Sequence, residues 1–193
     1  MAALIDLLET AQAGAALLGL VLLLLLEGAH PFFELFRERK ERGRHLARNL
    51  VLGAANSVIV AVVFAGLWVA AAAYAEANGW GLLRLTELPV WLHAVLAFLV
   101  LDVWTYAWHR MNHRVPFLWR FHRVHHSDAQ MDVTTASRFH TGEIVLSSAL
   151  RIPLILALGV TAWELVLYET MMFAVVQFHH ANVALPARVE AVV

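Results

Sequence analysis

An all-α integral membrane bundle is what this sequence predicts, with about four transmembrane or re-entrant helices and a histidine-rich metal site at its cytosolic surface. Three observations carry that expectation. Hydrophobic residues make up 61% of the 193 and charged residues only 15%, outside the usual composition of a soluble domain. Residues 50–75 carry no ionisable side chain except Tyr74, and about 20 such residues suffice to cross a bilayer. Five histidines crowd into residues 109–126, HRMNHRVPFLWRFHRVHH, directly after another apolar run.

The elements follow in order. Residues 11–36 read as a first helix, bent near Pro31. Its apolar part could pass for a signal peptide, but Asp6 and Glu9 stand where a cleavable signal carries basic residues, so a retained helix is expected. A basic loop, RERKERGRHLAR, comes next, then a second helix over residues 50–75 and a turn at Asn78, Gly79 and Gly81. Trp80 and Trp91 suit the aromatic belt of the far membrane face. A third helix starts near Pro89 and delivers His109 to the opposite surface. After a polar, partly irregular stretch, residues 144–158 and 161–178 form a tilted or re-entrant hairpin with Gly159 near its tip. Arg151 and Glu164 interrupt that hairpin, and each marks a cavity or pairs with the other. One membrane domain over residues 1–193 accounts for the whole, with 1–88 supplying the N-terminal transmembrane helices and 89–193 the histidine-box region.

Eleven of the fourteen basic residues fall in two segments, six in residues 37–48 and five in residues 110–138. The positive-inside rule puts both segments, and the histidines with them, in the cytoplasm. The first segment serves there as an orientation signal. A net charge of −1 gives no sign of a nucleic acid or other polyanionic partner. Cysteine is absent, which excludes disulfides, thiolate ligands and a cysteine nucleophile.

Spacing makes the histidines candidates for metal binding. His109 and His113 are four apart and share one helical face; His122, His125 and His126 stand at i, i+3 and i+4 and can converge in the same way, with Pro116 breaking the chain between the groups. Imidazole sets suit iron, zinc, copper or nickel. Out-and-back parity of the hairpin returns His179 and His180 to the same side. Asp102, two turns before His109, either hydrogen-bonds a ligand imidazole or pairs structurally with an arginine. Trp104, Trp108, Trp119 and Phe139 are candidates to line a channel. No H-E-x-x-H sequence occurs, which disfavours a zinc protease.

With these motifs in view, the chain resembles the sterol desaturase and fatty acid hydroxylase superfamily over about residues 89–186. Members look like D-x-x-x-Y-x-x-HR-x-x-H, then LW-x-x-H-x-x-HHS, R-x-H-x-x-E and H-x-N-x-x-LP. Here these are Asp102, Tyr106, His109 and His113; LWRFHRVHHS at 118–127; Arg138, His140 and Glu143; and HANVALP at 180–186. The resemblance implies a membrane-bound di-iron oxygenase that hydroxylates or desaturates a fatty acyl or sterol-like lipid. Dioxygen and an external electron donor, such as a ferredoxin, cytochrome or reductase, would be required. By matching position it implies His109, His113, His122, His125, His126 and His180 as ligands of two irons, with His179 a weaker candidate and His140 a supporting residue. It also implies a further H-x-x-HH box after the LP segment; the sequence given stops at Val193 before one, so a C-terminally incomplete region is expected. Rival expectations are a haem-binding cytochrome, a zinc-binding or pH-sensing membrane protein, and an inactive relative.

Overall fold

The computed structural model describes residues 2–186 and 188, with side chains from Thr10 onward. Seven α-helices, joined by short 3₁₀ turns at Leu82–Arg84 and Val133–Ser137, account for the architecture. The helices are α1 (Ala2–Ala29), α2 (Arg39–Ile59), α3 (Gly66–Asn78), α4 (Val90–Arg114), α5 (Pro116–His122), α6 (Thr141–Leu158) and α7 (Ala162–His180). Among the described residues there is no strand, only one isolated bridge between Pro31 and Val183. Four helices are long and apolar enough to cross a membrane: α1, the continuous α2–α3 rod, α4 and α6. Apolar side chains such as Leu17, Leu25, Val51, Val62, Val95 and Val103 point outward from them, as lipid-facing surfaces require.

The first helix ends at Ala29 rather than continuing through a bend to residue 36. Proline cannot donate to the helical ladder, and the chain beyond it is used differently. Phe32 N–H donates to the Asn182 carbonyl at 3.2 Å and Ala184 N–H to the His30 carbonyl at 2.8 Å. The Asn182 side chain exchanges two further bonds with the Phe33 backbone, both 2.9 Å. The segment after α1 is thereby stitched to the segment after α7.

The expected basic loop is helical. Residues 39–48 open α2, which runs unbroken through a π-helical stretch at Val60–Ala65 to Asn78, about 60 Å at ~1.5 Å per residue. Lys, Arg and Glu are good helix formers, and a rod twice the ~30 Å apolar thickness of a bilayer carries its basic turns beyond the lipid. Arg42 is more than an orientation charge: its guanidinium reaches the buried Glu27 carboxylate at 3.5 Å. Glu27 in turn accepts the N–H groups of Val133 at 2.7 Å and Asn182 at 2.8 Å.

At the far end, Ala71, Ala72, Ala97, Leu101, Ile155, Leu158, Val160, Leu165 and Tyr168 form the apolar core. The α6–α7 hairpin turns at Gly159, as expected. Its φ of +78° is left-handed, and a Cβ there would lie 2.6 Å from the Trp80 carbonyl oxygen. Arg84 Nε donates to the Gly159 carbonyl at 2.8 Å, closing the turn onto the α3–α4 loop. The two charged residues of the hairpin do not pair with each other. Arg151 pairs with Glu169, while Glu164 caps α7 through Thr161 and bonds His93 Nδ1 at 2.6 Å. Helical geometry explains this, because Glu164 lies in the first turn of α7 and Glu169 five residues deeper.

Replacing Gly159 by Ala should destabilise the protein by at least about 1 kcal/mol, through left-handed strain and the clash with Trp80. A lowered midpoint of thermal unfolding in detergent is the expected readout, and an unchanged midpoint would contradict this account of the turn.

Candidate metal centre

Two pieces of local structure bring the histidine boxes together. The last turns of α4 present His109 and His113, and the chain then reverses through extended Val115 into α5, with Pro116 at its first position. Helix α5 ends at His122, and residues 123–127 continue as a turn in which His125 N–H bonds the His122 carbonyl at 3.0 Å. Arg138 clamps that turn. It donates to the Val124 carbonyl at 3.0 Å, the Ser127 hydroxyl at 3.2 Å and Asn49 Oδ1 on α2 at 2.9 Å.

His109, His113, His122 and His126 form one group, their ligating atoms all within 4.8 Å of one another. The Nε2 atoms of His109 and His113, of His113 and His126, and of His126 and His122 are each 3.2 Å apart. Adjacent nitrogens around one ion at metal–nitrogen distances of ~2.0–2.1 Å are separated by about 3.0–3.4 Å, so this spacing fits a shared metal. His122 is fully buried and the other three open to the surface.

His125 does not join them. The expectation that the second box converges from one helical face fails because the helix ends at His122, and the following turn swings the His125 ring the other way. It meets His180 from α7, Nε2 to Nε2 at 3.0 Å. His125 Nδ1 faces the Arg138 carbonyl at 3.3 Å and His180 Nδ1 the Val176 carbonyl at 2.7 Å. A carbonyl only accepts, so both Nδ1 atoms carry the proton and two Nε2 lone pairs confront each other. A cation between them relieves that repulsion, which makes this pair, too, fit a metal. Burial first, and then the imidazoles of His180, His126 and His122, push the His125 pKa down to about 3.

Sequence reasoning missed the carboxylate behind this centre. Glu143, buried in the first turn of α6, accepts His122 Nδ1–H and Asn112 Nδ2–H at 2.9 Å each through one oxygen. Such an acceptor fixes the tautomer that offers Nε2 to a metal. Its signal was the glutamate of the R-x-H-x-x-E segment. Asp102, expected in this role, is exposed and bonded to no histidine among the described residues; two helical turns, about 10 Å, exceed the reach of its side chain. His140 is the N-cap of α6, its Nδ1 accepting Gly142 N–H at 2.9 Å, and so positions the helix that carries Glu143. His179 is exposed beside Phe178, one residue and hence about 100° around α7 from His180, outside both groups.

The polar stretch is partly irregular, as expected, over residues 127–132, but its second half is buried: Asp132, Val133, Thr134, Thr135 and Ala136 are all enclosed. Asp132 and Thr135 make a capping box for the 3₁₀ turn at Val133–Ser137, and Asn49 donates to Asp128 and Thr134 at 3.1 Å each. Burial would raise the Asp128 carboxyl, but bonds from Thr135, Gln130 and Asn49 outweigh it and leave the pKa below its usual value. Polar groups tolerate burial where each finds a partner.

A cavity of about 640 Å³ adjoins the His125–His180 pair. Helices α2, α3, α4, α6 and α7 and the π-helical stretch all contribute to its wall, with Val60, Ala61, Ile144, Met172, Phe173 and Val176 among its apolar lining. Of the four aromatic residues expected along a channel, Phe139 alone lines it, and its ring stacks on His125 at 4.5 Å. Trp119 instead packs against His113 and His126, at 5.5 and 5.8 Å.

A helical membrane bundle with six histidines gathered in two groups at one end, beside an apolar chamber, defines a candidate membrane metalloprotein. The chain belongs to the fatty acid hydroxylase family, whose profile matches residues 94–192, just over half of the sequence. It is 39% identical over 82 residues to alkylglycerol monooxygenase of Xenopus tropicalis, covering 40% of this chain and 17% of that protein. Ornithine lipid hydroxylase OlsE of Rhizobium tropici is 35% identical over 71 residues, 36% of this chain and 22% of the relative. Cholesterol 25-hydroxylase of Rattus norvegicus is 42% identical over 38 residues, 19% of this chain and 13% of the relative. The chain thus matches about a fifth or less of the length of these relatives. No solved structure matches it.

Two outcomes are expected from this geometry. Glu143→Ala should weaken metal binding roughly 10- to 100-fold in competition with a chromophoric chelator, because His122 loses the acceptor that orients it; unchanged affinity would remove Glu143 from the centre. In chelator-treated protein, the depressed pKa of His125 means that the unfolded chain binds a proton below about pH 6.5 that the folded one refuses. Stability should therefore fall as the pH is lowered from about 6.5 toward 3, by at most ~1.4 kcal/mol per unit from this group. Thermal midpoints for His125→Gln should depend less steeply on pH over that window, and an equal slope would show that His125 is not the titrating group.

Proposed function

We propose that this chain forms the metal-binding core of a membrane-bound lipid oxygenase that hydroxylates or desaturates a fatty acyl or sterol-like substrate. The observation that carries the reading is the adjacency of the His125–His180 pair to the apolar cavity, whose lining residues Phe139 and Val176 contact the two rings. The names of the relatives, all monooxygenases or hydroxylases of lipids, favour hydroxylation. His109, His113, His122 and His126 would hold one iron, and His125 and His180 would contribute to a second. Iron bound there supplies dioxygen activation, with electrons from a ferredoxin, cytochrome or reductase.

The chain's own residues supply orientation and shelter. Glu143 and the carbonyls of Arg138 and Val176 hold three rings with Nε2 inward. The apolar wall admits an alkyl chain from the bilayer and keeps water from it. Arg138, bonded to α2 at Asn49, and Gln130, bonded to Glu41 at 3.1 Å, tie the basic turns of α2 to the histidine end. By the positive-inside rule that end faces the cytoplasm. A membrane-impermeant maleimide should then label an Ala129→Cys variant in inside-out vesicles and not in right-side-out ones.

Four imidazoles are also a donor set that zinc takes, which is the second reading. Vesicle-reconstituted protein supplied with iron, a reductant and isotopically heavy dioxygen decides between them. Heavy oxygen in a lipid hydroxyl, or a new carbon–carbon double bond formed only when dioxygen is present, either one lost in His125→Ala, supports the oxygenase; no dioxygen-dependent product, with zinc as the retained metal, overturns it.

A further inference from the structure

The cavity has a second end that the metal chemistry does not use. Arg151 of α6 and Glu169 of α7 form an ion pair in its wall, and the Arg151 guanidinium lies over the Trp68 ring at 5.0 Å. Beside them Thr105 Oγ1 and Tyr168 Oη are 2.6 Å apart, and Tyr168 donates onward to the Leu101 carbonyl at 3.1 Å. The rest of the lining is small or apolar apart from scattered serines, Asn56 and Gln12, none of them charged. Ionisable groups within membrane-spanning elements are costly and tend to be retained for a task. Guanidinium carries five donors, and among the described residues Arg151 donates a hydrogen bond only to Glu169. The remaining donors and the carboxylate stand at the cavity wall.

Position gives the pair its meaning. On α6, Ile144, Ser147, Ser148 and Arg151 line the cavity, one helical stripe leading away from Glu143. On α7 the stripe Glu169, Met172, Phe173 and Val176 leads to His180. From Glu169 to His180 is about 16 Å at ~1.5 Å per residue, the length of an extended chain of roughly a dozen carbons. Charge decides what binds. Glu169 already neutralises Arg151, so an anionic head group would bring an uncompensated charge into an apolar site. A hydroxyl can accept from Arg151 and donate to Glu169 at once.

We propose that the Arg151–Glu169 pair is the docking site for the uncharged hydroxyl end of a long-chain lipid, with the carbon roughly a dozen bonds away placed at the histidine end. The proposal rests on the reading of the cavity as a lipid chamber, and the test separates the two. Competition against tritiated hexadecanol, on the full chain in lipid nanodiscs, measures the affinities of hexadecanol, hexadecane and hexadecanoate. Hexadecanol should bind about tenfold tighter than either competitor, the worth of one or two hydrogen bonds. Joint replacement, Arg151→Met with Glu169→Met, should make hexadecanol and hexadecane equal while hexadecane binding persists. Glu169→Gln leaves Arg151 unneutralised and should turn the preference toward hexadecanoate, an inversion that a merely structural ion pair would not produce. Equal binding of all three by the unaltered chain, or an unchanged preference in both variants, overturns the hydroxyl site and leaves the lipid chamber standing. Absence of saturable binding by any of the three overturns both.

Discussion

A proton on Nδ1 is the constraint on which the arrangement of the candidate metal centre depends. An imidazole offers Nε2 to a metal only while an acceptor behind the ring holds the other proton. This chain provides such acceptors from three different places: the Glu143 carboxylate on α6, the Arg138 carbonyl in the connector and the Val176 carbonyl on α7. Each acceptor is fixed in turn. Glu143 follows a helix cap made by His140, Arg138 is bound to Asn49, and Val176 lies inside a helical ladder. The site is therefore set by the packing of α2, α6 and α7 as much as by the helices that carry the histidine boxes.

Glu27 plays the corresponding part for the surrounding frame. A buried carboxylate needs partners to repay its desolvation. Glu27 finds them in Arg42 and in the backbone of Val133 and Asn182, and so joins α1, α2, the buried connector and the segment after α7. Removing its charge would loosen four elements that share no continuous apolar core at this end, since the core lies at the opposite end of the bundle.

Local signals were legible in the sequence and long-range ones were not. Apolar runs announced the membrane-spanning helices, and the i, i+4 spacing of His109 with His113 and of His122 with His126 was read directly as convergence. The divergence of His125 depends on where α5 stops, a boundary that residue spacing does not encode. Glu143 was quoted within a motif but its task went unseen, because its partner His122 lies 21 residues earlier and meets it only through the packing of α5 on α6. Asp102 looked suitable on a helical wheel, which shows direction and ignores reach. The burial of Asp132 and its neighbours is not legible in the sequence, because composition cannot show that polar groups satisfy one another.

The stitching of residues 30–33 to 182–184 has a consequence for biosynthesis. Helix α1 packs against α7, which the ribosome completes some 150 residues later in the same chain. Until then α1 can shield its face only with lipid, and Glu27 lacks the Asn182 N–H, one of its two backbone donors. Contacts of such sequence separation form slowly, because the intervening chain must be ordered before they give any return. His180 follows His125 by 55 residues, so the pair, and with it the full set of six clustered histidines, becomes available only once nearly all of the helical frame has been synthesised.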